Sequence, residues 1–222
     1  GIGFAQSAAS QAALVAAGND NTGNNADKRW QQRTDSSILL LSTANPPAQY
    51  AVASLVSLNA NGFTLSKPTL PAAATPIFYL ALKGGTHKVG SFKQAIAGGS
   101  QTTTGVGFQP EQLILASRNL IATITVDGLG AISIGAAQSS ANSGSLWFQD
   151  RSDQDNTANQ MNMYNSTTDV ITLATAASTL TGRADFTSFV SDGFTLNWTS
   201  TDGTERQIIY WAIGPNIARS GA

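Results

Sequence analysis

Cysteine is absent from the 222-residue chain, and histidine occurs once. The first absence excludes disulfide bonds, thiolate metal ligands and a cysteine nucleophile. With His87 as the only histidine, a serine–histidine–aspartate triad would depend on that one residue, and a typical zinc site would lack ligands. The sequence also has no Walker motif, no dinucleotide fingerprint and no Gly-x-Ser-x-Gly motif in a hydrolase context. We therefore expect a protein that is not an enzyme and that binds no cofactor.

Charged residues are scarce as well. They make up 11% of the chain, whereas ordinary soluble proteins hold about 25%. The net charge of −1 gives no basic surface for nucleic acid, and we expect the densest basic cluster, Lys28, Arg29 and Arg33, to be a solvated loop. No apolar run approaches the ~20 residues that span a bilayer, so no membrane insertion is expected. A neutral surface of small side chains loses little conformational entropy on packing, which favours a subunit of a large assembly or an exported protein.

The chain does contain an internal repeat. Residues 55–65 (LVSLNANGFTL) match residues 186–196 (FTSFVSDGFTL), and residues 77–82 (IFYLAL) match residues 208–213 (IIYWAI). Both matches have an offset of 131 residues (55 to 186, 77 to 208), so the connection between the two blocks has the same length in each copy. A constant offset indicates two copies of one structural unit. Such a repeat favours a building block over an enzyme with a single site.

Short apolar or β-branched runs alternate with Gly, Pro, Asn and Asp turn signals along most of the chain. This pattern is typical of β-sandwiches, and no stretch shows a sustained helical period. The predicted fold is mainly β, with two tandem related antiparallel β-sandwich units of jelly-roll or lectin-like type. The first unit spans residues 1–85. A Gly/Ser/Thr-rich connecting segment spans residues 86–102, and the second unit with its C-terminal tail spans residues 103–222.

The two copies differ at their start. The second opens with residues 105–115 (GVGFQPEQLIL), and the first would need the equivalent strand before Gly1. Because a missing strand leaves an open sheet edge, which proteins normally cover, we expect another segment in that place. The candidates are residues 86–98, the tail 214–222, a strand from a neighbouring subunit, and a segment that precedes Gly1.

Aromatic residues at or near polar segments are the candidates for ligand contact. We expect residues 19–36 and 150–168 to form two long polar loops. Trp30, Trp147 and Tyr164 lie at or near them and are candidates for stacking on a glycan, with Tyr164 expected to be the best exposed. Core packing is the alternative for such aromatic side chains.

Residues 77–82 and 208–213 are both expected as buried strands, because each is a short apolar run bounded by turn signals. Three acidic residues of the second polar loop, Asp150, Asp153 and Asp155, could supply oxygen ligands to calcium, although the twelve-residue EF-hand pattern is absent. A plain polar loop is the alternative for them.

Part of the second unit resembles a known kind of protein. Residues 88–93 (KVGSFK), a Gly/Ser/Thr spacer and residues 104–115 (TGVGFQPEQLIL) resemble a recurrent segment of bacteriophage virion proteins, in which a G-x-GFQP turn leads into an apolar strand. Residues 192–198 (DGFTLNW) and 208–213 resemble the end of the same module. The resemblance covers about residues 88–214 directly and residues 1–84 through the internal repeat. It implies β-sandwich subunits of virion surfaces or tails, some of them lectin-like, and it supplies no catalytic residue.

These observations together lead to an expected function. We expect a non-enzymatic structural subunit of a virion, an extracellular particle, located on the capsid surface or in the tail. Its expected partners are other copies of itself and other virion proteins. The main alternative is a carbohydrate-binding module for glycans of the host surface, and a glycan depolymerase comes third.

Overall fold

The computed structural model describes residues 1–18, 28–44, 47–119, 131–151, 160–174 and 179–215. Every regular element within them is a β-strand, so the expectation of a mainly-β fold is confirmed. In chain order the strands are β1 (Ile2–Ser7), β2 (Ser10–Gly18), β3 (Lys28–Arg33), β4 (Ile38–Leu41), β5 (Gln49–Asn59), β6 (Gly62–Thr69), β7 (His87–Lys93), β8 (Gly99–Thr103), β9 (Gln112–Ser117), β10 (Ile132–Ala137), β11 (Ser143–Arg151), β12 (Gln160–Ser166), β13 (Asp169–Ala174), β14 (Leu180–Val190), β15 (Gly193–Ser200) and β16 (Gln207–Ile213).

The strands form four antiparallel sheets, which we call A to D. Sheet A has the order β1-β2-β3, and sheet B has the order β4-β5-β6. Sheet C is the largest, with the order β12-β11-β10-β9-β16-β7. Sheet D has the order β13-β14-β15-β8. Sheets A and B come from residues 2–69, and sheets C and D come from residues 87–213.

Sheets A and B pack face to face through one side of β2. Successive side chains of a strand point to opposite faces, so β2 can contribute to two layers. Ala13 and Val15 pack against Leu39 and Val52 of sheet B. The first unit therefore has a small sandwich core.

The other side of β2 joins the two halves of the chain. Leu14 of β2 and Trp30 of β3 belong to one buried cluster with Ala116 of β9 and Ile209 of β16. Sheet A thus lies on sheet C, and the two units share a buried apolar layer rather than forming separate lobes.

Sheets C and D enclose the largest core. Leu115 of β9 and Tyr210 of β16 point away from sheet A and pack with Phe194, Leu196 and other residues of sheet D. Four layers therefore follow one another in the order B, A, C, D.

The hairpins of sheets B and D pair their residues in the same register. Leu55 pairs with Leu65 in the first hairpin, and Phe186 pairs with Leu196 in the second. Each member of one pair lies 131 positions from its counterpart (55 to 186, 65 to 196). A β-bulge follows the pair in both hairpins. The segments that match in sequence therefore also pair in the same register within their hairpins.

The two segments expected as long polar loops are partly strands. Residues 28–33 form β3, which pairs with β2, and residues 160–166 form β12, which pairs with β11. Polar side chains do not prevent pairing at a sheet edge, because the ladder is made by backbone groups and one face may meet water. The rest of these segments, residues 19–27 and 152–159, lies outside the described residues.

The Gly/Ser/Thr-rich segment 86–102 is also more than a connection. It contains β7 and β8, which form the edge strands of sheets C and D beside β16 and β15. Residues 86–98 were one candidate for the missing strand of the first unit, but their strand, β7, pairs with β16 of sheet C instead. Of another candidate, the tail 214–222, residues 216–222 lie outside the described residues.

Residues 77–82 are not a buried strand, so that expectation is wrong. They form no regular element, and Phe78, Tyr79 and Leu80 are 97%, 72% and 78% exposed. Their counterpart, β16, is a central strand of sheet C. An apolar run becomes a strand only where neighbouring strands accept its backbone hydrogen bonds, and the described residues provide none for 77–82.

Candidate functional site

Two of the three aromatic candidates are buried. Trp30 is 3% exposed and its ring lies 6.1 Å, centroid to centroid, from the ring of Phe148 between sheets A and C. Trp147 is 2% exposed and packs with Ala131 and Ala174. Both indoles lie on strands and point into a layer, so neither offers a face to a sugar in this structure. Core packing, the alternative considered from the sequence, describes their positions.

Tyr164 is the candidate that reaches solvent. It lies on β12 directly across from Trp147 of β11, and its half-buried ring packs against the cluster that contains Trp147. The guanidinium of Arg183 lies over the ring, 5.9 Å from its centroid. Such a cation–π contact occupies one face of the ring, which leaves the edge and the hydroxyl as the accessible parts.

A carboxylate network surrounds Tyr164. The Nε and an Nη atom of Arg183 donate to the same Oδ2 atom of buried Asp169, each at 2.9 Å, and the Tyr164 hydroxyl lies 3.5 Å from that oxygen. Asp185 is the cross-strand partner of Asp169 between β13 and β14. Two carboxylates therefore share the neighbourhood of one arginine.

The charges of this network perturb one another. The hydrogen bond to Asp169 raises the pKa of Arg183 above its ordinary value. Burial, and then the negative charge of Asp169, raises the pKa of Asp185. Since Arg183 is held by Asp169, the cluster resembles a satisfied structural network more than a poised acid–base pair. Sequence analysis missed Arg183 and Asp169, because nothing in the local pattern brings β12, β13 and β14 together.

No metal centre is assembled in the described part of the chain. The groups of three or more His, Cys, Asp or Glu side chains that a metal ion would need are not found there. Asp153 and Asp155 lie outside the described residues, and of Asp150 only the backbone position in β11 is described. The calcium hypothesis for these three residues stays a prediction.

The G-x-GFQP segment forms a turn held by one carboxylate. Gly105 and Gly107 both have positive φ, 83° and 88°, and their backbone N–H groups donate to Asp192 Oδ2 and Oδ1 at 2.9 and 2.6 Å. These hydrogen bonds lower the pKa of Asp192. Glycine suits both positions because other residues rarely adopt this conformation. The motif therefore fixes the entry to β9 against the turn between β14 and β15.

The most unusual surface of the molecule lies on the first unit. Most of the large apolar side chains that the described residues expose fall between positions 56 and 82. We call this set the open surface; it comprises Val56, Leu58, Phe63, Leu70, Ile77, Phe78, Tyr79, Leu80 and Leu82. The sequence from position 68 to position 82 contains no charged residue. Contiguous exposed apolar patches of this kind mark interaction sites in soluble proteins.

An aromatic pair of the open surface has a buried counterpart in the second unit. Phe63 and Tyr79 meet edge to face with their ring centroids 5.1 Å apart. Phe194 and Tyr210, each 131 positions further on (63 to 194, 79 to 210), meet edge to face at 5.4 Å. Phe63 is 36% exposed and Phe194 is fully buried. Tyr79 thus contacts sheet B as Tyr210 contacts sheet D, and the described residues place no strand beside 77–82 like those that flank β16.

His87, the single histidine, belongs neither to the network around Tyr164 nor to the open surface. One of its ring nitrogens, Nε2, lies 2.9 Å from the carbonyl oxygen of Gly84, and its ring lies 5.9 Å from that of Trp211. These contacts hold the turn before β7. Within the described residues, no serine and carboxylate are hydrogen-bonded to His87 as a catalytic triad would require.

No helix in the described part of the chain is long and apolar enough to cross a membrane. Comparison with protein families, with curated proteins and with solved structures finds no match to this chain.

Proposed function

We propose that this protein is a non-enzymatic structural subunit of a bacteriophage virion, located on the capsid surface or in the tail, that assembles with copies of itself and with other virion proteins. The observation that carries the proposal is the open surface. It is apolar and uncharged, and the residues that correspond to Phe63, Ile77, Phe78 and Tyr79 in the second unit are buried. A surface of this kind is expected to be covered by another polypeptide in the working assembly.

The composition supports assembly over catalysis. With 11% charged residues and a net charge of −1, many copies can pack side by side without strong mutual repulsion. Repeated weak contacts of such a subunit add up through multivalency. The virion placement itself rests on the resemblance of residues 88–93 and 104–115 to phage virion modules.

Two measurements test the two parts of the proposal. Light scattering on the purified chain over a range of concentrations should give a discrete oligomer, and a strict monomer at all concentrations would count against self-assembly in solution. Virions of the phage that encodes this chain can be purified from a lysate of infected cells. Peptide mass spectrometry on these virions should detect the chain as a particle component. Its absence from those particles would overturn the virion placement.

The carbohydrate-binding alternative now rests on Tyr164, because Trp30 and Trp147 are buried. A glycan array probed with the wild-type chain and with Tyr164→Ala tests it. Saturable binding that is lost in the variant would favour this alternative over a purely structural role.

A further inference from the structure

The segment 77–82 has the sequence of a central strand but lacks the neighbours of one. Its counterpart β16 pairs antiparallel with β9 on one side and with β7 on the other. In the second unit β9 also pairs with β10, so that β10, β9 and β16 are consecutive strands. The first unit has the counterpart of β10, which is β1, and the counterpart of β16, which is 77–82. The described residues place nothing between them.

The correspondence of β1 with β10 is supported by pairing and by packing. Ile2 pairs with Leu14 in sheet A, and Ile134 pairs with Leu146 in sheet C, each 132 positions apart (2 to 134, 14 to 146). In sheet A, a Cβ on Gly3 would collide with the carbonyl oxygen of Ser37, the residue before β4.

A Cβ on Gly135 would collide in the same way with the carbonyl oxygen of Val170, at the start of β13. The two strands therefore approach their partner sheets in the same manner. In the described residues β1 pairs with no strand other than β2, and its Ala5 is exposed whereas the counterpart Ala137 is buried.

The described residues thus leave two strand positions around 77–82 without a strand. One lies between β1 and 77–82, where β9 lies in the second unit. The other lies on the far side of 77–82, where β7 lies in the second unit. In the second unit a single strand, β9, lies between β10 and β16, so the correspondence calls for one strand at the first position. Both positions call for a strand antiparallel to 77–82, because β9 and β7 are both antiparallel to β16.

We infer that a second copy of this chain fills both positions through a two-fold symmetric contact. The segment 77–82 of the partner enters the position between β1 and 77–82. By the same two-fold rotation, β1 of the partner then lies on the far side of 77–82. A two-fold axis perpendicular to the sheet makes the two 77–82 segments antiparallel to each other, and each is then antiparallel to the partner's β1. The result is one continuous eight-stranded sheet across the dimer.

Stoichiometry and chemistry favour a second copy as the occupant. Strands β7 and β9 of another molecule are already paired with its own β16, so they are not available. In another molecule, the segment 77–82 likewise has no strand paired with it in the described residues. An uncharged apolar surface is complementary to itself, as an isologous contact requires. This inference deepens the homomeric assembly proposed above and rests on it.

A proline substitution can disrupt the dimer contact without disturbing the fold of the monomer. Leu80→Pro removes one backbone N–H that the dimer sheet would use, while the described residues make no hydrogen bond with that group. Ala74→Pro, in the same exposed connection but outside the pairing segment, is the matched control. Sedimentation velocity should show a dimer for the wild type and for Ala74→Pro, and a monomer with an unchanged circular dichroism spectrum for Leu80→Pro.

Cross-linking gives a second, independent measurement. Since the chain has no cysteine, single cysteines at positions 78 to 81 report directly on proximity across the two-fold axis. At least one of these four variants should form a disulfide-linked dimer on mild oxidation, and Ile96→Cys, at an exposed position between β7 and β8, should not.

The outcomes distinguish this inference from the wider proposal. A dimer that survives Leu80→Pro, with no cross-link at any of the four positions, would overturn the 77–82 contact and leave self-assembly through another surface. A wild-type chain that is monomeric at every concentration would overturn the contact as well. Detection of that monomeric chain in purified virions would still support the virion placement.

Discussion

Gly135 of β10 lies so close to the carbonyl oxygen of Val170 in β13 that a single added methyl group would overlap that oxygen. Because the obstacle is backbone, it cannot be relieved by a side-chain rotation. Gly3 and Ser37 stand in the same relation in the first unit. Close approach between two sheets is therefore built into both halves of the chain at an equivalent glycine.

Gly135→Ala should destabilise the protein by about 1–3 kcal/mol or more, the usual cost of overpacking a tight interior. Gly62→Ala is the matched control, since nothing lies within 4 Å of its added methyl group. Urea unfolding followed by tryptophan fluorescence measures both. Equal free energies of unfolding for the two variants would show that the sheets can separate at Gly135 without cost.

The two equivalent phenylalanines should differ in their contribution to stability. Phe194→Ala removes a fully buried ring and should cost about 3–5 kcal/mol. Phe63→Ala removes a partly exposed ring whose main neighbour is Tyr79, and should cost about 1 kcal/mol. Both are best compared in the Leu80→Pro background, where the proposed dimer cannot contribute. Similar losses for the two variants would contradict the assignment of Phe63 to an uncovered surface.

The ion pair between Arg183 and Asp169 should matter more than an exposed pair. Arg183→Gln leaves the Asp169 carboxylate, which is 1% exposed, without its cationic partner, so we expect a loss of about 1–3 kcal/mol. The pair Lys93–Glu205, in which both side chains are at least half exposed, supplies the control, because Lys93→Gln should cost less than about 1 kcal/mol. Adding Asp169→Asn to Arg183→Gln should recover part of the lost free energy of unfolding. If it does not, the buried charge of Asp169 is not the cause of the loss.

Asp185 should make stability fall as the pH rises. Its pKa is raised in the folded protein, so the folded state favours the protonated carboxyl. The associated stabilisation is complete below the unfolded pKa and is lost as the pH increases through the folded pKa. Asp185→Asn should therefore have a higher Tm than the wild type at pH 7, with the difference shrinking toward pH 3. A pH-independent difference between the two melting curves would rule out this explanation.

Asp192 should act in the opposite direction. Its pKa is lowered because the carboxylate accepts the N–H groups of Gly105 and Gly107. The stabilisation is present above the unfolded pKa and is lost as the pH falls through the folded pKa. Asp192→Asn should have a lower Tm than the wild type at pH 7 and approach it in acid. Thermal melts at several pH values test this, and a variant as stable as the wild type at pH 7 would show that the two hydrogen bonds contribute nothing.

Much of the strand pattern could be predicted, because it depends on local sequence. The apolar runs at β4, β9 and β16 and the turn signals Asn61–Gly62 and Asp192–Gly193 stand where the sequence predicts them. Strands β3, β8 and β12 could not be predicted, since polar or small residues carry no apolar pattern and their strand state comes from distant partners. Residues 86–98 were a candidate strand for the first unit, whereas β7 pairs with β16 of sheet C.

The candidate site was harder to predict. Trp147 lies beside a polar segment in the sequence, yet its indole points into the protein, and the orientation depends on how β11 packs against the strands of sheet D. The network of Arg183 and Asp169 joins residues from separate strands, and no spacing in the sequence predicts their contact.

The sequence by itself determined that the chain is built of β-strands and that one pattern of residues occurs twice, since propensity, alternation and turn residues act over a few positions. Only the tertiary structure decided which copy is covered. Phe63 and Phe194 sit in the same local sequence, Gly-Phe-Thr-Leu, but the first is partly exposed and the second is fully buried. The physical reason is that burial depends on strands brought from elsewhere in the chain. Strands β9 and β7 flank β16 and complete the sheet over Phe194, and the described residues place no such strands around 77–82.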